Sequence, residues 1–473
     1  MISITSKAAD FYHWLDERTG VKEMMRAALE EPIRGGARWS YVFGSGLAFL
    51  VALQAITGIA LSVYYVPSSD HAHASVAFIQ KAVPAGALLR GLHHYGASAM
   101  VVLIVVHLAQ VFLFGAYKAK RELIWVTGVV MLLITLAFAF TGYLLPWDQA
   151  AYFGTKVGTS VAGEIPIIGE IQRRIMLGGS ELTTLTLSRF FTAHVFLFPV
   201  ALLLLIVTHI FLFRRAGAAG PFHHREDHRV ESFYPRQMLK DAVFMLALFV
   251  ALAALALKWP AELGPQADPA SDYLARPPWY FLPLFQLLKY FPGQLSLIPT
   301  VLLPGALFAA LFLLPFADRR AERHPFRRPI ATGILALSLA GTVGLIALSK
   351  YEDRANKEFS ARFKEQEEAS RAFLKSKFEP QVIGQVLAAT PGVGVAPTSF
   401  GENCAVCHGD RGEGADSAPS LIGITNKPNR TPEDLLKILN DSRTYGLKEP
   451  MPASFDLSED EKRQIVEWLK RLK

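Results

Sequence analysis

Seven stretches of this chain are long and apolar enough to cross a lipid bilayer, and they leave little freedom in what it can fold into. A helix needs roughly 17 to 25 apolar residues to span the hydrocarbon core. Residues 41–65, 95–116, 123–145, 191–213, 242–259, 297–316 and 330–349 all qualify, and the first contains no Asp, Glu, Lys or Arg. Since bilayer lipid offers no hydrogen bonds to the backbone, such segments fold as helices. The expected fold class is therefore an all-α membrane protein. Disorder and coiled coil are excluded by 51% hydrophobic and only 19% charged residues. The net charge of +7 is no nucleic-acid signature: residues 351–473 carry 18 Lys+Arg against 20 Asp+Glu, so the excess lies among the apolar runs.

The distribution of charge predicts orientation. Segments 1–40, 117–121, 214–240 and 317–328, on the amino-terminal side, hold 20 Lys+Arg, whereas 66–92, 146–190 and 259–296 hold 8. The positive-inside rule puts the N-terminus in the cytoplasm, and seven crossings then leave everything after Lys350 outside. Residues 1–38 are mostly polar, so no cleavable signal peptide is expected. The expected organisation is a four-crossing part (1–213), a three-crossing part (214–350), a helical linker (351–379) rich in Glu, Lys and Arg that reads as an exposed spacer, and a small all-α domain (380–473).

Ionisable groups at membrane depth are costly and need a partner or a ligand. His93 and His107 are 14 residues apart in the second crossing, and His194 and His209 are 15 apart in the fourth. On a helix either interval is roughly 21 to 22 Å of rise, with about 40 to 60° of rotation from the same face. If the two helices face each other, His93 meets His194 near the outer surface and His107 meets His209 near the inner one. Bis-imidazole ligation of haem iron inside a four-helix bundle fits that arrangement. Gly44 and Gly58 in the first crossing, and Gly128 and Gly142 in the third, repeat the 14-residue interval and predict room for a broad cofactor between helices.

Cys404-Ala-Val-Cys407-His408 holds both cysteines of the chain and is a c-type haem attachment motif, with His408 as an iron ligand. Two cysteines three apart support neither a disulfide framework nor thiolate iron–sulfur ligation. A zinc half-site would need further Cys or His downstream, and none follows. Met451, the only methionine after the motif, is the natural sixth ligand.

Arg90-Gly-Leu-His93-His94-Tyr-Gly-Ala-Ser98 with His107, Gly142-Tyr143-Leu-Leu-Pro146-Trp147-Asp148-Gln149, and Arg189-Phe-Phe-Thr-Ala-His194 with His209 resemble cytochrome b of the quinol-oxidising cytochrome bc complexes. The resemblance spans roughly residues 10 to 350, and the tail resembles a small monohaem cytochrome c. It implies two non-covalent b haems, held by His93/His194 and His107/His209 with Arg90 and the four glycines lining them, and one covalent c haem. His94, beside a ligand, is not expected to be one. The 15-residue interval, Pro-Trp-Asp-Gln and seven crossings are similar to the plastid and Gram-positive branch, which attaches an extra haem through a Cys where this chain has Val42.

The same resemblance implies quinol oxidation near Tyr143, Asp148 and Tyr280. One electron then goes to a Rieske iron–sulfur protein and the c haem, and the other crosses the membrane to reduce quinone near Lys240 and Asp241. Implied partners are the quinone pool, membrane lipid, a soluble cytochrome c or similar acceptor, and a second copy of the complex. Arg276-Pro277-Pro278-Trp279-Tyr280 departs from the family's Pro-Glu-Trp-Tyr element, because Pro278 can neither accept nor relay a proton. Asp148 is then the first candidate acceptor, followed by Asp268 and Asp272. Two alternatives remain open: a passive dihaem electron-transfer anchor, and the same complex running toward quinone reduction.

Overall fold

The computed structural model describes residues 2–220, 230–378, 396–409, 412–414, 418–443, 447 and 455–472, with backbone alone for residues 2–8. The chain divides into two compact units, 1–378 and 379–473.

In the first unit, seven helices among the described residues are long and apolar enough to cross a membrane: Trp39–Ser62, Gly86–Leu113, Glu122–Leu144, Thr184–Ala216, Arg236–Lys258, Gly293–Ala317 and Pro329–Ala355. Their outer faces stay apolar. Along the fourth crossing Leu203, Leu204, Val207 and Phe211 are all exposed, an arrangement that water would punish and lipid tails satisfy. The first crossing packs on the second and the third on the fourth, which makes a four-helix bundle. Leu50, Leu53, Leu92, Met100, Leu103 and Leu252 tie the first, second and fifth crossings into one cluster. The second and fifth approach closely where Gly91 faces Ala256; a Cβ there would lie 2.6 Å from the alanine Cβ.

The fourth crossing is not uniformly α-helical. Residues Ala193–Leu197 form a π turn, in which the Phe198 amide bonds the Ala193 carbonyl five residues back. Such a turn takes in one extra residue without changing the face that the following helix presents.

The remaining pieces cover the bundle's two ends. On the amino-terminal side, a two-stranded antiparallel ribbon pairs Pro32–Arg34 with Val230–Ser232, a small exception to the all-helical expectation. There too, buried Lys118 bonds Asp318 at 2.8 Å and the carbonyls of Arg320 and Glu322, fixing two loops to each other.

On the opposite side lie the helices Ala72–Lys81, Gln149–Gly163, Gly169–Leu177 and Leu282–Leu288. Asp148 is the N-cap of the second of these. One carboxylate oxygen accepts the Ala151 amide at 2.9 Å, and the other accepts the Gly264 amide, also at 2.9 Å. The bonds Gln149 N to Pro265 O and Ala267 N to Trp147 O complete a clasp between the third crossing and the loop after the fifth. Trp147, buried in this turn, takes a φ of 50°, a left-handed conformation rare for a bulky residue.

The segment that reads as a spacer also belongs to this unit. Its helix, Lys357–Lys375, is capped by Asn356 and seated on the same side. Arg362 pairs with Asp272 at 2.6 Å, Lys81 donates to the Phe373 carbonyl at 2.5 Å, and Phe78 packs on Phe378. Its aromatic residues, sparse among the charges, make the contacts.

In the second unit, Phe400, Leu435, Ile438, Ile465, Trp468 and Leu469 form a small core, with the Phe400 and Trp468 rings 4.4 Å apart. Capping boxes at Thr431/Asp434 and Ser458/Glu461 start the helices Pro432–Asn440 and Glu459–Leu469.

The clasp generates a prediction. Asp148→Ala leaves two buried amides without acceptors, which costs about 2 to 4 kcal/mol at ~1–2 each. The thermal midpoint followed by tryptophan fluorescence should fall accordingly, and Asp148→Asn, which keeps an acceptor oxygen, should lose less.

Candidate functional site

The bundle brings the four histidines together in two pairs across the second and fourth crossings. The His93 and His194 ring centres are 6.2 Å apart. Two metal–imidazole bonds of about 2 Å, plus roughly 1 Å from each nitrogen to its ring centre, require about 6 Å. This gap therefore fits one iron between them. The π turn contains His194 itself, which explains how intervals of 14 and 15 residues serve two matched pairs: the extra residue is absorbed beside the ligand.

Three of the four imidazoles are also oriented from the neighbouring helix. His93 Nδ1 lies 3.0 Å from Thr57 Oγ1, His194 Nδ1 3.1 Å from Thr141 Oγ1, and His209 Nδ1 2.8 Å from Thr127 Oγ1. With Nδ1 engaged, Nε2 is the nitrogen free for metal, the usual division of labour in a ligating histidine. His107 Nδ1, by contrast, is buried with no hydrogen-bond partner. The glycines stand directly against these rings. A Cβ on Gly142 would lie 2.6 Å from His194 Cε1 and one on Gly58 3.1 Å from His93 Cε1; Gly128 and Gly44 face His209 and His107 at 3.7 and 3.9 Å.

Thr57-Gly58, Thr127-Gly128 and Thr141-Gly142 are thus one repeated device, in which Thr orients the imidazole and Gly lets the ring lie close. At the fourth position the dipeptide is Phe43-Gly44, and there no threonine oxygen meets the histidine Nδ1. The threonines are absent from the sequence-level site, although the recurring Thr-Gly pair is visible in the chain. His94 stacks edge-on against Tyr95 with centroids 5.0 Å apart, away from the facing pairs. Arg90 donates to Gln80 Oε1 at 3.0 Å and to the carbonyls of Ala261 and Glu262 at 2.8 and 2.5 Å, so it holds the loop after the fifth crossing.

The quinone-related residues fall at the two ends. On the amino-terminal side Asp241 is buried, accepting from Ser45 Oγ at 2.6 Å and Gln237 Nε2 at 2.7 Å. Lys240, next along the helix, turns its ammonium 5.4 Å from the centre of the Trp39 ring. The two side chains therefore point to different neighbours. Val42 is buried at the base of the first crossing.

At the opposite end, Tyr143 donates to the Arg276 carbonyl at 3.3 Å, and a Cβ on Gly154 would lie 2.5 Å from the Tyr143 ring, so that glycine makes space for the phenol. Trp279 Nε1 lies 3.4 Å from Ser98 Oγ. Burial pushes the Tyr273 and Tyr280 hydroxyls up to about 12, so both stay protonated as donors at neutral pH. Of the three expected proton acceptors, Asp148 accepts two amides, Asp272 pairs with Arg362, and Asp268 accepts the Ala270 amide at 2.9 Å. Glu262, which sequence reasoning passed over, lies at this rim and is exposed. Burial raises its pKa, as do Glu367 and Asp148, while Arg371 and Arg90 oppose the shift.

In the second unit Cys404, Cys407 and His408 lie on and between two short helices, Thr398–Asn403 and Ala405–His408. His408 is buried and its Nδ1 is 2.9 Å from the Pro419 carbonyl, which again leaves Nε2 for iron. Met451 lies outside the described residues.

Family models match in the same order. Residues 30–217 match cytochrome b/b6/petB, 266–363 the cytochrome b C-terminal/b6/petD model, and 396–473 cytochrome c. A cytochrome bc complex cytochrome b subunit of Chlorobaculum thiosulfatiphilum is 38% identical over 319 residues, 65% of this chain and 73% of the relative. A menaquinol:cytochrome c reductase cytochrome b subunit of Geobacillus thermodenitrificans is 38% identical over 218 residues, 44% of this chain and 97% of that one. A solved hyperthermophilic respiratory complex III chain superposes with a TM-score of 0.65 at 26% identity, covering 77% of this chain and all of the other. Two b haems, a covalent c haem and a place in quinol:cytochrome c electron transport accompany that membership. With its paired intramembrane histidines and its Cys-X-X-Cys-His tail, the chain belongs to the cytochrome b family of cytochrome bc complexes and carries a cytochrome c domain on the same polypeptide.

Proposed function

We propose that this chain is the core of a proton-translocating, electron-bifurcating quinol oxidoreductase that works with a Rieske iron–sulfur protein and as a dimer of the complex. The observation that carries it is the pair of imidazoles 6.2 Å apart at one end of a bundle whose second pair lies about 20 Å further along. A chain of two centres spanning the membrane serves an enzyme that separates charge. When bound, the b haems supply one-electron transfer across the bilayer and the c haem supplies the outlet to a soluble acceptor. His93 and His194 hold one b haem, His107 and His209 the other, and Cys404, Cys407, His408 and Met451 the c haem.

The charge asymmetry of the loops supports a cytoplasmic N-terminus and a cytochrome c domain on the outer side. Quinol binds at the outer rim, where the Tyr143 oxygen, its proton given to the Arg276 carbonyl, accepts from a quinol hydroxyl and the Tyr280 phenol donates. Quinone reduction falls beside Lys240 and Asp241. The Geobacillus relative is named for menaquinol, which supports that substrate class here.

Asp148 acts as a structural clasp, and Glu262 takes over as proton acceptor. Its position at the edge of solvent lets it receive a proton from the site side and release it to water. A raised pKa keeps it a stronger base than an ordinary carboxylate, although it must lose its proton before it can accept another.

Four outcomes test this reading. Purified protein should give a pyridine haemochrome ratio of b to c near two; a ratio far from that contradicts the ligand assignment. In Glu262→Gln, quinol oxidation should slow and the acidic limb of kcat/KM, on which rate rises with pH as Glu262 ionises, should flatten. An unchanged profile removes Glu262 from proton release. Thr141→Val removes the acceptor from His194 Nδ1–H, so that the imidazole donates less electron density and the midpoint of that haem rises by roughly tens of millivolts. A redox titration that finds no shift refutes the orienting role. Co-purification of an iron–sulfur subunit distinguishes the bifurcating enzyme from a passive anchor.

A further inference from the structure

The residues where the seventh crossing passes into the tail grip the turn at the outer quinol rim. Arg276 opens that turn, Pro277-Pro278-Trp279-Tyr280, and its carbonyl accepts the Tyr143 hydroxyl at 3.3 Å. Its side chain does not go to solvent. It forms a two-pronged ion pair with Asp353, Nε to Oδ2 at 3.1 Å and Nη2 to Oδ1, with the two side chains only 16% and 23% exposed. The guanidinium lies between two rings, 4.3 Å from the centre of Phe359 and 4.9 Å from that of Phe285. Of these partners, Asp353 and Phe359 both belong to the tail's root.

A second grip holds the far end of the same segment. Glu352 accepts from Lys289 at 3.0 Å and from the Tyr290 hydroxyl at 2.6 Å. The turn is thus clamped before and after by consecutive residues of the seventh crossing. A shielded, bidentate Arg–carboxylate pair fixes both distance and plane, which a single exposed ion pair does not. Movement of the Arg276 backbone is restrained by that pair and by the Tyr143 bond.

We propose that Asp353, backed by Phe359, is a positioning residue for quinol oxidation: by gripping Arg276 it holds the Arg276 carbonyl against the Tyr143 hydroxyl and fixes the turn that carries Tyr280. The proposal rests on the reading above, in which this turn borders the quinol-oxidising site. Asp353 never touches the quinol. It keeps the Tyr143 oxygen and the Tyr280 phenol in the geometry in which they meet the quinol, and it makes the root of the tail part of the site's scaffold.

The test is Asp353→Asn in the intact complex, with Asp353→Glu beside it. Misaligned phenols lower kcat roughly tenfold with KM within about twofold, because the lost alignment matters in the transition state. Haem content, haem midpoints and quinone reduction at the other end should match the parent, and Asp353→Glu should recover at least half of the loss. Parental turnover in Asp353→Asn overturns the proposal, as does a loss shared by haem content or not recovered by Asp353→Glu. Hydrogen exchange at the Phe281 and Leu282 amides, bonded to the Pro278 and Trp279 carbonyls, reads the grip independently of activity. If the parent oxidises no quinol the functional reading fails, and unchanged exchange in Asp353→Asn then overturns the clamp as well.

Discussion

An imidazole inside a lipid-facing bundle has no water to turn to, and most of this structure follows from that constraint. Each ring must have one nitrogen satisfied by protein if the other is to be left for iron. Thr57, Thr127 and Thr141 supply the oxygen from the adjacent helix, and beside Thr57 and Thr141 the glycine leaves room that a Cβ would take from the ring. Helix spacing, glycine placement and ligand orientation are therefore one problem with one solution used three times. At His107 the threonine is missing, Nδ1 has no hydrogen-bond partner, and Gln110 is the polar side chain beside the ring.

The opposite end of the first unit obeys a different rule. Its loops lie at the membrane surface, where backbone amides are costly to bury and water is only partly available, so they are tied by side chains drawn from distant parts of the chain. Asp148 reaches the Gly264 amide, His73 lies 2.8 Å from the Gly264 carbonyl, and Arg90 holds the carbonyls just before it. The tail helix adds Arg362 on Asp272 and Phe373 against His73. The loop that carries Pro278 is thereby fixed by residues from the second crossing, the third-crossing turn and the tail at once.

That difference explains what could be read in the chain. The crossings were legible because a bilayer demands about 20 apolar residues in a row, a local property. The histidine pairs were legible because helical periodicity relates residues 14 or 15 apart. Asp148 was not: its partner Gly264 is 116 residues away, and the fourth residue of Leu-Pro-Trp-Asp looks the same whether it caps a helix or takes a proton. Nor was the seating of Lys357–Lys375, where composition is that of a solvated helix and two or three aromatic residues decide otherwise. The place of Glu262 beside Arg90 and Asp148 was not legible either, because nothing around it in sequence differs from an ordinary loop.

The π turn at Ala193–Leu197 bears on how such a chain can change over evolutionary time. A single inserted codon in an α-helix ordinarily rotates everything after it by about 100°, which would carry one ligand of a pair away from its cofactor. Here one residue beyond a 14-residue interval is taken up as a local bulge, so the helix is longer while the ligand geometry is unchanged. Two chains can therefore differ by one residue in ligand spacing and present the same pair of imidazoles.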